Sequence, residues 1–153
     1  MTSPSKNSRS LAPLEDRLFV ALLTVADALS LEAEQLVKSA GLSGAQYNVL
    51  RILRGAEPQG LACSAIGDRM ISHDPDITRL LDRMEKRGLI TRERQTDDRR
   101  VVKTRITPQG LSLLKTLDQP IHALHKHQFR HISAPRLKTL GRLLEEVRAR
   151  KQV

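Results

Sequence analysis

Residues 95–107 read QTDDRRVVKTRIT, and the two halves of this stretch differ in composition. The first half is polar, with two aspartates followed by two arginines. The second half, residues 100–107, has the alternation of a β-strand, in which one face would turn inward and carry Val102, Thr104 and Ile106. Residues 89–94 form a similar run just before it. Together the two runs predict a β-hairpin with a charged tip.

Two short helices are predicted immediately before this hairpin. The first covers residues 63–70. In the second, Asp74 is the expected N-cap and Pro75 the first helical residue. Its apolar positions have the spacing i, i+3, i+4, i+7 and are Ile77, Leu80, Leu81 and Met84. Two short helices joined by a tight turn and followed by a hairpin predict a winged helix-turn-helix.

A further helix, residues 44–55, precedes these two and has a clear start signal. Ser43 and Gln46 form a capping box, in which each side chain satisfies the other residue's backbone N–H. Leu42 and Tyr47 occupy the flanking hydrophobic-staple positions. We therefore place the beginning of the winged helix-turn-helix lobe at residue 43.

Longer helices flank this lobe. The segment 13–40 has apolar residues at helical spacing, and a helix of about 40 Å is too long for one small domain to cover. Within it, the apolar run Leu18–Ala28 follows Glu15 and Asp16 and contains Asp27, so we expect a core-facing helix rather than a signal peptide or membrane span. Helices capped by Thr107 and Ser133 end the chain. Their surplus of apolar surface predicts a homodimer.

The predicted fold class is mainly α with a small β-hairpin wing: a winged helix-turn-helix with N- and C-terminal dimerisation helices. Residues 1–11 are expected to be a disordered tail. Residues 12–42 and 108–153 would form the helical dimerisation region, and residues 43–107 the winged helix-turn-helix lobe.

Composition narrows the class of partner. The chain of 153 residues has 26 basic and 17 acidic residues, a formal charge of +9, which favours a polyanion. With only two Phe, one Tyr and no Trp, it could hardly build the aromatic platform on which single-stranded nucleic acids stack. Duplex DNA needs no such platform. The single cysteine excludes an intrachain disulfide and is typical of a cytoplasmic protein.

Two elements carry residues suited to duplex DNA. The exposed face of the second short helix would present Asp76, Thr78, Arg79 and Arg83 to a major groove, where Arg can bind guanine and Thr a thymine methyl or a phosphate. The hairpin that follows is basic and contains Arg92, Arg94, Arg99, Arg100, Lys103 and Arg105. We expect Arg100 at its tip to enter a minor groove and Asp98, two residues away, to hold Arg100 straight by a charge-assisted hydrogen bond. Arg99, Lys103 and Arg105 would contact phosphates. An ordinary solvated helix face is the alternative interpretation of the first element.

The segment 98–107, DRRVVKTRIT, resembles the wing signature D-x-R-x-x-x-V-x-L-T of the MarR family of bacterial transcription regulators, with Thr104 and Ile106 as the two departures. PDITRLLDRMEKRGLI is similar to the recognition helix of that family, and TPQG to the start of its fifth helix. Two further departures are Ala62-Cys63, where the family often has a capping Thr, and Ile71, where it often has Gly. The resemblance covers residues 12–150 and implies a ligand pocket between the dimerisation helices and the DNA-binding lobe.

Other chemistry has weaker support. The histidines of HALHKHQFRH, residues 122–131, fall in two pairs on roughly opposite sides of a helix, so no face collects three zinc ligands. Cys63 fits a small, partly buried core position better than a peroxide sensor. Neither a phosphate-binding Gly-rich loop nor a metalloprotease or nucleophile-elbow motif occurs. We expect no enzyme activity, no metal and no cofactor.

The function predicted from these residues is a homodimeric, sequence-specific DNA-binding transcriptional regulator. A ligand-responsive repressor is the form we expect, with double-stranded DNA and a small-molecule inducer as partners and no membrane association. The alternative is a ligand-sequestering or protein-interaction module on the same fold that lacks a specific operator. The residues do not identify the inducer.

Overall fold

A computed structural model describes residues 12–73 and 76–150, so the predicted tail at residues 1–11 lies outside it. Its elements in chain order are α1 (Leu14–Ser39), α2 (Gly44–Gly55), β1 (Leu61–Ala62), α3 (Cys63–Arg69), α4 (Ile77–Lys86), β2 (Ile90–Arg94), β3 (Val102–Ile106), α5 (Pro108–Phe129) and α6 (Ala134–Arg148). The predicted fold class, mainly α with a small β-wing, is confirmed.

The start of α2 follows from local sequence as expected. Ser43 adopts an extended backbone and accepts a hydrogen bond from the Gln46 N–H at 3.1 Å. The Gln46 side chain accepts in turn from the Ser43 N–H at 3.0 Å, which completes the capping box. Thr107 likewise caps α5, where its hydroxyl accepts from the Gly110 N–H at 3.0 Å.

The prediction for the start of α4 was wrong. The helix begins at Ile77 with Asp76 as its N-cap, and Asp74 and Pro75 lie outside the described residues. The Asp76 carboxylate accepts from the Arg79 N–H at 3.4 Å, three residues on, which is the ordinary N-cap relation. The sequence offers two aspartates separated by a proline, and the second one caps the helix.

The sheet has three strands where the sequence predicted two. β2 and β3 form the expected antiparallel hairpin, with Arg92 opposite Thr104. The two-residue β1 pairs with the other edge of β3, so β3 is the central strand. A strand of two residues is too short to give an alternation signal in the sequence. The inward face of β3 is as predicted, with Thr104 and Ile106 buried.

One core joins α2 to α5 and the sheet, and its buried side chains include Leu50, Leu53, Leu81, Met84 and Leu114. Gly110 lets the start of α5 approach β2 closely. A Cβ built on Gly110 would lie 2.4 Å from the Leu89 carbonyl oxygen and 2.9 Å from Cγ1 of Ile106. This contact fixes the position of α5 against the wing.

The described residues divide into two compact units, one that ends at residue 32 and one that begins at residue 33. The first unit holds most of α1, whose apolar side chains are largely exposed and include Leu14, Leu18, Phe19, Val20, Leu23, Val25 and Leu31. The expectation that residues 18–28 face the core of this chain is therefore wrong. In the second unit α6 also has exposed apolar side chains, which are Leu140, Leu143, Leu144 and Val147.

Candidate nucleic-acid interface

The outer face of α4 is polar because its inner face takes all the apolar residues. Leu80, Leu81 and Met84 are buried in the core. Thr78, Arg79, Arg83 and Lys86 are exposed. Thr78, Arg79 and Arg83, which the sequence predicted for the recognition helix, are therefore all exposed on the side of α4 away from the core.

Asp76 caps the N-terminus of α4 and forms an ion pair with Arg79. In addition to the cap, one of its carboxylate oxygens lies 3.3 Å from Nε of Arg79, whose side chain is 78% exposed. The Asp76 carboxylate thus interacts with both the N-terminus of α4 and the Arg79 guanidinium. Asp76 thus orients Arg79.

Asn48 fixes the backbone at Ile71, shortly after the end of α3, and the sequence did not predict this contact. Its Oδ1 accepts a hydrogen bond from the Ile71 N–H at 2.8 Å, and the Asn48 side chain is buried in α2. Ile71 occupies the position at which the family that the sequence resembles often has glycine. The residue is 79% exposed. A buried amide of α2 therefore fixes the position of Ile71, and nothing in the local sequence indicates the contact.

The tip of the wing is a turn organised by Asp98. Its side chain accepts from the Arg100 N–H at 3.0 Å, and its carbonyl accepts from the Val101 N–H at 3.0 Å. The guanidinium Nε of Arg100 lies 3.9 Å from the same carboxylate, and the Arg100 side chain is 96% exposed. The hydrogen bond expected between Asp98 and the arginine is thus made to the backbone of Arg100, while the guanidinium extends into solvent.

The other predicted wing residues differ in exposure. Arg99 is exposed, whereas Lys103 and Arg105 on the central strand are half-buried. Arg105 packs over Gly60, since a Cβ at that glycine would lie 2.7 Å from Cγ of Arg105. Nε of Arg105 is buried and has no hydrogen-bond partner among the described residues. Arg105 therefore presents only part of its side chain to a partner.

Arg92 forms ion pairs with two acidic residues of α4. Its guanidinium binds Asp82 and Glu85 of α4 at 2.5 and 2.7 Å. The hydrogen bonds to Glu85, ahead of those to Asp82, raise the pKa of Arg92 above its ordinary value. Among the hairpin cations, Arg92 thus joins the wing to α4.

The remaining candidates from the sequence form no site in the part of the chain that the structure describes. No group of three metal-ligating side chains is found across residues 12–73 and 76–150. Cys63 is half-buried and packs against the core. Within the same residues, no helix is long and apolar enough to cross a membrane.

A shallow pocket of about 400 Å³ lies where the end of α1 meets α5 and the segment after α4. Its polar lining comes from Arg87, Gln109, Ser112 and Thr116, and its apolar lining from Ala40, Leu89 and Leu113. Arg87 also donates to the Gly41 carbonyl at 2.9 Å and to Oε1 of Gln46 at 3.2 Å. The pocket therefore adjoins contacts that join α2 to the end of α4.

This chain is similar to known transcription regulators in sequence and in fold. The MarR family model matches residues 42–102, which include α2 to the start of β3. The Escherichia coli homoprotocatechuate degradative operon repressor is 28% identical over 133 residues, or 87% of this chain and 88% of the repressor. The family model thus matches the part of the chain that runs from α2 through β2.

Solved structures cover more of the chain. A MarR transcription factor from Planctomyces limnophilus is 39% identical, with a TM-score of 0.67 over 88% of this chain and 98% of that protein. The fold also matches MepR of S. aureus in a complex with DNA, with a TM-score of 0.75 and 17% identity over 84% of this chain and 93% of that one. The chain belongs to the MarR family of transcriptional regulators.

Proposed function

We propose that this chain is a cytoplasmic, homodimeric repressor that binds duplex DNA at a specific operator and releases it when a small molecule binds. The observation that carries the proposal is the joint exposure of the polar face of α4 and of Arg100 at the wing tip, on elements that pack against each other. Thr78, Arg79 and Arg83 would contact a major groove, and Arg100 the adjacent minor groove. Asp76 would orient Arg79 through their ion pair, and Asp98 would fix the backbone of the turn from which Arg100 extends.

Arg99, Lys103 and Arg105 would contact phosphates, which adds affinity without sequence preference. The proposal also assigns a role to each part of the chain that the sequence predicts. Residues 43–107 would form the DNA-binding lobe, and residues 12–42 and 108–153 would supply the dimer interface. The net charge of +9 supports a polyanionic partner.

The proposed test is a titration of labelled DNA from the upstream region of the chain's own gene, with competitor DNA and at several salt concentrations. Arg100→Ala should weaken specific binding about tenfold or more, because a hydrogen bond to a charged group contributes roughly 1.5–3 kcal/mol. Arg136→Ala in α6 removes the same charge from an exposed site outside the lobe and is the control. Equal binding of all duplexes would support the alternative, a module without an operator, and so would no binding at all.

The dimer is proposed from exposed apolar surface in α1 and, separately, in α6. A second copy would cover side chains such as Leu18 and Leu144, which are 52% and 43% exposed in the single chain. Leu144→Glu should shift the sedimentation of the protein to that of a monomer, since an unpaired carboxylate would be buried in the interface. Lys138→Glu, an exposed position on the opposite face of α6, should leave a dimer. Two dimeric variants would refute the assignment of α6.

Ligand response is proposed for the pocket beside Arg87. A small anionic molecule that took hydrogen bonds from Arg87 would compete with Gly41 and Gln46, and so would shift the end of α4 relative to α2. Aromatic carboxylates provide suitable probes. Their addition should weaken DNA binding by the wild type and have less effect on Arg87→Met. An identical effect on both proteins would exclude this pocket.

A further inference from the structure

Arg92 lies at the middle of β2 and reaches two carboxylates on α4. Nη2 lies 2.5 Å from Oδ1 of Asp82 and 2.7 Å from Oε2 of Glu85, and Nε lies 3.0 Å from the same Glu85 oxygen. The other Glu85 oxygen accepts from the Arg92 backbone N–H at 3.2 Å. We call this set of contacts the Arg92 bridge.

The bridge differs from an ordinary surface ion pair. An exposed pair contributes little, because water screens it and two long side chains must be ordered. Here the Arg92 side chain is only 24% exposed, and a planar guanidinium is held by two acids at once. The backbone of β2 is tied to Glu85 as well, which restricts the strand itself and not only the side chain.

The bridge also connects α4 to the whole hairpin. Arg92 is paired with Thr104 on the central strand β3, and Thr104 is buried. β3 in turn leads back to the turn that carries Arg100. Any rotation of α4 relative to the wing would have to break several of the contacts of the bridge.

We propose that Arg92 is a positioning residue for operator binding, which makes α4 and the wing tip engage DNA as one rigid body. The inference rests on the proposed function. When two contacts are held at a fixed separation, the first contact places the second at high effective concentration. When they move independently, ordering the second contact costs binding free energy and its contribution falls.

This reasoning predicts how the effect of Arg100→Ala depends on the bridge. In the wild type, Arg100→Ala should weaken operator binding about tenfold. In an Arg92→Met background the same substitution should weaken operator binding only about threefold or less. The loosened wing tip would already contribute less binding free energy there, so its loss would matter less. A role of Arg92 in folding alone would reduce the active fraction and leave the Arg100 effect at tenfold.

Arg94→Met is the matched control. Arg94 is an exposed arginine on the same face of the same strand, so its substitution removes the same charge without touching the bridge. It should lower the affinity through charge alone. The Arg100→Ala effect should remain about tenfold in that background.

Glu85→Gln separates geometry from charge. It weakens the same bridge but makes the surface more positive, whereas Arg92→Met makes it less positive. If geometry is the cause, both backgrounds should reduce the Arg100→Ala effect. Glu85→Gln is also the milder change, and it carries the test if Arg92→Met fails to fold by circular dichroism.

The outcomes separate the two proposals. Specific binding by the wild type, with an Arg100→Ala effect that stays tenfold in both bridge variants, would overturn the role of Arg92 and leave the proposed function intact. Opposite changes in the two backgrounds would show that charge is the cause and would also overturn it. An absence of specific binding by the wild type would overturn the proposed function, and this inference with it.

Discussion

Gly110→Ala should destabilise the protein, although the substitution improves helix propensity. The residue lies in the first turn of α5, and a Cβ there would meet the Leu89 carbonyl oxygen at 2.4 Å. That oxygen belongs to the backbone and accepts the Thr107 N–H at 3.1 Å, so it cannot move without stretching a hydrogen bond. Cγ1 of Ile106 at 2.9 Å closes the other side.

The expected magnitude combines three effects. Overpacking costs roughly 1–3 kcal/mol, and weakening the hydrogen bond to Leu89 costs about 1 kcal/mol. The gain in helix propensity returns at most about 1 kcal/mol. The net loss is therefore about 2 kcal/mol, which for a chain of this size lowers the thermal midpoint by roughly 4–8 °C.

Gly67→Ala in α3 is the matched control, because a Cβ there meets nothing within 4 Å. It should raise the free energy of unfolding by up to about 1 kcal/mol. Thermal unfolding followed by circular dichroism measures both variants, at one protein concentration since a dimer unfolds in a concentration-dependent manner. If Gly110→Ala proved as stable as Gly67→Ala, α5 would not approach β2 as closely as the structure has it.

Three further predictions concern single groups. Asn48→Leu should speed amide hydrogen exchange at Ile71 in an NMR experiment and cost about 1 kcal/mol; unchanged exchange would contradict the role of Asn48. Thr107→Ala removes the cap of α5 and should lower the free energy of unfolding by about 1–2 kcal/mol in a urea titration, whereas a loss near zero would argue against the cap. Burial raises the pKa of Tyr47 above 10.0, despite the opposing charges of Arg51 and Arg54. Because the folded state favours the neutral phenol, stability should be fully present below the unfolded pKa and fall as the pH rises through the folded one. Phenolate absorbance reports this group alone, since the chain has one tyrosine and no tryptophan; an unshifted midpoint would contradict its burial.

The sequence predicted well what depends on neighbouring residues. The capping box of Ser43 and Gln46 spans four residues, and the Thr107 cap is followed directly by Pro108. The alternation of β3 and the apolar spacing of α4 likewise follow from the periods of strand and helix. These signals were sufficient for the winged helix-turn-helix and for the order of its elements except β1.

Predictions were less accurate where two local signals competed or where apolar side chains remain exposed in the single chain. Asp74 and Asp76 are both good caps, and their sequence does not decide which is used. The apolar run Leu18–Ala28 correctly indicated a helix, but the single chain leaves its side chains largely exposed. Apolar spacing shows that a face must be covered and does not tell which chain covers it.

The candidate interface shows the same division between local and distant contacts. Thr78, Arg79, Arg83 and Arg100 were identified from sequence because period and motif placed them on exposed faces. The contact of Asn48 with Ile71 joins residues 23 positions apart, and the Gly110 contact brings α5 against β2. The Arg92 bridge spans fewer positions, yet it depends on how β2 packs on α4. Hydrogen bonds and ion pairs act over a few ångströms, so their partners are fixed only when packing brings separate elements together.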